Sequence, residues 1–148
     1  MDKQNLTMEQ EVWQRVHANR GSEPKNDLRQ LQRESMELAS VYRRLSAQLS
    51  GRAQELAKRL YLGEKANTDT LAGIGILSRT GGETLKLWQP EKELPQKLLE
   101  RCYHRTCRCR MEYLVRSADG EFGVVFEKLA QREAEHCLWI AEILGSLK

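Results

Sequence analysis

The chain has 148 residues, 40% of them hydrophobic and 30% charged, with 24 Lys and Arg against 21 Asp and Glu. That length fits a single domain, which commonly runs to roughly 100–200 residues, and it is enough to bury a real core. A formal charge of +3, with basic and acidic residues interspersed, gives no reason to expect a nucleic-acid surface, and no apolar run approaches the ~20 residues that span a bilayer.

Three prolines, few aromatics and abundant Leu, Ala, Glu, Arg and Gln point to an all-α fold, because most of these residues lose little on entering a helix. The N-terminal "MDKQNLTMEQEVWQRV" lacks the apolar h-region of a secretory signal, so a cytoplasmic protein without a membrane segment is expected. In that setting Cys102, Cys107, Cys109 and Cys137 are read as reduced thiols rather than a disulfide framework. On a helix, Cys107 and Cys109 would point about 200° apart while Cys102 and Cys109 share a face, and small core residues are the favoured reading. The densest basic run, 105–110, interleaves three arginines with two of these cysteines and reads as a solvated helix face.

In chain order, residues 1–25 form an N-terminal extension in which Val12, Trp13 and Val16 suggest a short helix. A bundle follows over 26–148. Its first helix, about 26–49, is read from the 3.6-residue stripe Leu28, Leu31, Ser35, Leu38, Tyr42, Leu45 and Leu49. The second, about 52–79, carries Leu56, Leu60, Glu64, Asn67, Leu71 and Ile74 and stops at the glycines of "RTGGE". Pro90 and Pro95, with no sustained period nearby, predict a long crossover. A third helix runs from near Pro95 to about Ser117 with the stripe Leu98, Leu99, Cys102, Thr106, Cys109 and Tyr113. The fourth starts at about Glu121 and carries Phe122, Phe126, Leu129, Glu133, His136, Ile140 and Leu144. Short loops join the first helix to the second and the third to the fourth, so two antiparallel hairpins are expected.

The hairpins share a pattern. Tyr42 precedes Glu64 by 22 residues and Tyr113 precedes Glu133 by 20; each glutamate is followed three residues later by an amide or imidazole, Asn67 or His136. Ser35 stands seven before Tyr42, and Thr106 seven before Tyr113. Glu133 and His136 fall between Leu129 and Ile140 on the apolar stripe and are predicted to point inward.

The stretches "MELASVYRRLS", "GEKANTDTLAGIGILSRTGGE" and "CYHRTCRCRMEYLVRSADGEFGVVFEKLAQREAEHCLWIAEIL", with the leading "VWQRV", resemble the ferritin-like superfamily, and within it the rubrerythrin-like branch. The resemblance covers most of residues 28–144. It implies an antiparallel four-helix bundle that holds two iron or manganese ions between a glutamate on each of two helices and a Glu-x-x-His on each of the others. Members of that family include peroxide reductases and ferroxidases. Carried onto this chain, the motif is complete only as Glu133 and His136. Glu64 keeps its place, but Asn67 stands at its histidine position, and Ser35 and Thr106 stand at the two remaining glutamate positions.

Three of six ligands remain, and two carboxylates balance one divalent ion, so a full di-iron centre is not expected. Glu34, on the flank of the Ser35 stripe, has the reach to swing inward and join Glu64, Glu133 and His136 around one Fe, Mn or Zn ion. Glu112 lies further off its own stripe. The other reading is a metal-free polar core. A protonated His136 then supplies the cation for Glu64 or Glu133, Ser35, Asn67 and Thr106 satisfy the remaining acceptors, and Tyr42 and Tyr113 extend the network.

No other chemistry is legible. "AGIGIL" lies inside a helix with no strand before it, and Cys137 adjoins His136 only in sequence, since consecutive helical residues point about 100° apart. Rubredoxin-type Cys-x-x-Cys pairs are missing, so an oxidoreductase would need an external electron donor. The expected function is therefore a rubrerythrin-like bundle that has lost most di-iron ligands, non-catalytic or holding at most one metal ion. It would work as a homodimer or through a protein partner. The alternative is a metal-dependent oxidoreductase acting on peroxide or iron, for which no catalytic residue can be named.

Overall fold

A computed structural model describes residues 24–77, 93–118 and 120–147. Four α-helices make up almost all of it: α1 (Pro24–Gln48), α2 (Gly51–Leu77), α3 (Pro95–Ser117) and α4 (Gly123–Ser146), the last preceded by a single 3-10 turn, Gly120–Phe122. There is no strand among the described residues. The short helix expected around Val12, Trp13 and Val16, and the crossover through Pro90, lie outside the described residues.

The helix boundaries have local causes. Gly51, the first residue of α2 and three past the end of α1, adopts φ +60°, a left-handed conformation that a residue with a Cβ rarely takes. The Gln54 amide then donates to the Ser46 carbonyl at 2.8 Å, satisfying one of the acceptors that the end of α1 leaves open. Pro95 opens α3, where its missing N–H costs nothing. The Ala118 N–H bonds to the Val115 carbonyl at the other end, and Gly120 at φ +59° turns the chain toward α4. The 3-10 turn takes up 120–122, so the regular helix begins two residues after Glu121.

Each inward stripe buries leucine, isoleucine or aromatic side chains at helical spacing. α1 packs along α2 and α3 along α4; the pairs meet through α2 against α4 and, over a smaller contact, α1 against α3. The apolar side chains fall into two clusters. One gathers Leu38, Tyr42, Leu45, Leu56, Leu60, Leu99, Ile140 and Ile143; the other gathers Leu28, Leu31, Leu71, Tyr113, Phe126 and Leu129. Burying each such aliphatic side chain contributes roughly 1.5–3 kcal/mol. Between the clusters in every stripe lie the polar residues Ser35, Glu64, Asn67, Thr106, Glu133 and His136, all no more than 1% exposed. A dry core thus surrounds a layer of titratable groups, which is costly unless those groups satisfy one another.

The edge between α1 and α3 is held by charge. Arg105 of α3 reaches Glu34 at 2.6 Å and also pairs with Glu37, both on α1. No helix of the described residues is long and apolar enough to cross a membrane.

Candidate metal centre

Helical geometry places Glu64 and Asn67, three residues apart on α2, against Glu133 and His136, three apart on α4, so that all four side chains meet. Nδ1 of His136 lies 3.0 Å from Oε2 of Glu64 and 3.1 Å from Oε1 of Glu133. The Asn67 amide nitrogen donates to both carboxylates, at 3.2 Å to Glu64 Oε1 and 2.8 Å to Glu133 Oε1. Its orientation is fixed from the far side, where Arg132 donates to Asn67 Oδ1 at 2.7 Å. With the oxygen held by a cation, the NH2 can only face the acids.

Two groups hold His136 in place. Trp139 stacks on the ring with centroids 5.5 Å apart. Gly63 leaves the space the imidazole fills, since a Cβ there would stand 2.2 Å from His136 Nε2. Gly63 precedes Glu64 in the middle of α2, where glycine costs about 1 kcal/mol relative to alanine. Sequence reasoning does not find Gly63 or Arg132. A mid-helix glycine next to a buried acid was the available signal for the first; nothing in the spacing marked the second.

The electrostatics sort the three titratable groups. Burial pushes the Glu133 carboxyl well above its ordinary value, and the neighbouring Glu64 charge pushes it further. Burial also works against ionised Glu64, but hydrogen bonds from His136, Glu133 and Asn67 and the His136 charge outweigh it and lower its pKa. For His136, burial favours the neutral ring, yet hydrogen bonds and charge from Glu133 and Glu64 prevail and raise it to about 9. Near neutral pH these directions favour, in the metal-free layer, an ionised Glu64, a protonated Glu133 and an imidazolium, a combination without net charge that leaves His136 Nε2 buried with no hydrogen-bond partner.

One donor atom from each of Glu64, Glu133 and His136 lies within 4.8 Å of the others, and this buried group could hold one metal ion. Two carboxylates and an imidazole suit Zn, Mn or Fe and leave further coordination positions open. Oε2 of Glu133 is buried without a hydrogen-bond partner, a donor atom the protein itself does not use. Among the described residues no other such group of acidic, histidine or cysteine side chains comes together. Asn67 beside this one is committed to Arg132 and the two acids.

The other positions singled out in the sequence lie around this layer but are engaged elsewhere. Ser35 pairs with the Tyr113 hydroxyl and Thr106 with the Tyr42 hydroxyl, each at 3.4 Å. They do not satisfy the glutamates; of the three expected acceptor partners, only Asn67 does so. Burial raises both tyrosines well above the usual phenol range, so they remain neutral. Glu34 does not swing inward. Its carboxylate is held by Arg105 at 2.6 Å, with Arg108 at 3.7 Å, because a guanidinium at the helix edge offers it a partner without burial in the core. Glu112 pairs with Arg116 at 3.5 Å. Comparison of the chain with family models, curated proteins and solved structures gave no match.

Proposed function

We propose that the protein is a ferritin-like bundle of the rubrerythrin-like kind, built from two antiparallel hairpins, that binds one divalent ion through Glu64, Glu133 and His136. The observation that carries this reading is the unbroken chain from Arg132 through Asn67 to both glutamates. It leaves one set of metal donors and occupies the place of a second. Charge supports the same count. One divalent ion replaces the protons on Glu133 and His136, and the buried layer stays neutral in both states.

With a single ion, the paired-metal chemistry of peroxide reductases and ferroxidases has no second centre, so the bundle is non-catalytic in that sense. Leu62 of α2 and Leu138 of α4, 61% and 71% exposed, are apolar side chains available for a homodimer or a protein partner. Elemental analysis of protein reloaded anaerobically with Zn(II), Mn(II) or Fe(II) tests the reading. About one ion per chain is expected, lost in Glu133→Ala/His136→Ala; two ions per chain, or none, contradict it.

A further inference from the structure

Cys107 of α3 and Cys137 of α4 face each other with their sulfurs 3.7 Å apart. Both are free thiols and both are half-buried, whereas Cys102 and Cys109 are buried, each in a different apolar cluster. The four cysteines therefore contain one juxtaposed pair, and that pair joins two helices packed along each other. A disulfide bond is about 2 Å long, so closure draws together two sulfurs that are already in contact. Cys107 also lines an open surface groove with Met111, Glu112 and Val115. A small oxidant can reach it there without entering the core.

We propose that Cys107 and Cys137 form a redox-active dithiol that closes to an intrachain disulfide on reaction with hydrogen peroxide. The Cys107 thiolate attacks one peroxide oxygen; an S–O bond forms, the O–O bond breaks, and the departing hydroxide takes up a proton as water. The Cys137 sulfur then attacks the sulfenic sulfur. An S–S bond forms, the S–O bond breaks, and a second water leaves with the Cys137 proton. Two thiols lose two electrons, and one peroxide becomes two waters. An external dithiol reverses the cycle. This chemistry uses neither Glu64, Glu133 nor His136, and it stands apart from the metal reading.

The test uses the full chain, freed of reductant, treated with one equivalent of hydrogen peroxide and alkylated with N-ethylmaleimide in denaturant. The expected result is loss of two of the four alkylatable thiols at monomer mass, restored by dithiothreitol. Trypsin should then yield a bridge between peptides 106–108 and 133–148. Cys107→Ser should keep all of its remaining thiols, whereas Cys137→Ser should stop at a sulfenic acid on Cys107 and form no intrachain bridge. Four alkylated thiols after oxidation would overturn the proposal. So would a bridge to Cys102 or Cys109, a bridge between two chains, or a sulfinic acid on Cys107 with Cys137 still alkylated. Because the bridge is mapped in the unaltered chain, the outcome does not depend on the folding of either variant.

Discussion

Arg132 donates to Oδ1 of Asn67 at 2.7 Å, and that bond decides which way the Asn67 amide faces. The amide N–H groups are thereby committed to Glu64 and Glu133. Asn67→Ala is expected to destabilise the metal-free protein by about 1–3 kcal/mol, the cost of leaving buried acceptors unsatisfied. Urea unfolding measures it. Arg132→Met, which only frees the amide to turn, should cost less, and the opposite order would contradict the relay.

The two glutamates should respond differently to the same change. Glu133 is held protonated, so Glu133→Gln reproduces its metal-free form and should shift stability by less than about 1 kcal/mol. Glu64→Gln removes the carboxylate that accepts from His136 at 3.0 Å and leaves a buried cation poorly paired, at a cost of about 3–5 kcal/mol. Both variants should lose metal binding. Equal destabilisation in chemical unfolding would show that the charge is not divided between them in this way.

A glycine pair tests how closely the imidazole is seated. Gly63→Ala places a Cβ 2.2 Å from His136 Nε2, and the clash should outweigh the gain in helix propensity, for a net loss of about 1–3 kcal/mol. Gly73 lies in the same helix with nothing within 4 Å of a Cβ, so Gly73→Ala should stabilise by up to about 1 kcal/mol. Thermal melts of the two variants should move in opposite directions.

Stability of the metal-free protein should depend on pH with a defined sign. His136 and Glu133 bind their protons more tightly folded than unfolded. Their stabilisation is therefore full below the unfolded values and lost as pH rises through the folded ones, which for His136 is about 9. Glu64 has the reverse sign: its contribution is present above the ordinary carboxylate value of 4.5 and lost as pH falls below it. Stability, and Tm with it, should be highest near the ordinary carboxylate value of 4.5 and fall as pH rises, with His136 alone contributing a loss on the order of 3 kcal/mol between about pH 6.5 and 9. His136→Gln should flatten that decline. A wild-type Tm that rises over the same interval would falsify the protonation scheme.

Much of this layer is legible in the sequence. A 3.6-residue stripe carries its own phase, so polar residues set among leucines, such as Glu133 between Leu129 and Ile140, had to be buried. The repeat also had a structural meaning that spacing alone did not give. Ser35 and Thr106, each seven residues before a tyrosine, bond to the tyrosine of the other helix pair rather than to the acids. Periodicity reports which face a residue occupies, not which partner waits across the interface. For the same reason spacing did not reveal what holds Glu34. Arg105 intercepts it, and Arg105 sits 71 residues away in the chain. Cys107 and Cys137, 30 residues apart on different helices, were invisible as a pair on the same ground.

The exchange of protons for metal gives the most direct test. Zn(II) should be titrated calorimetrically into metal-free protein at about pH 6, in buffers that differ in ionisation enthalpy. One ion per chain should bind with release of about two protons, those of Glu133 and His136, and Glu133→Gln should abolish the exchange. Binding of two ions, or of one ion without proton release, would contradict a single metal centre built from Glu64, Glu133 and His136.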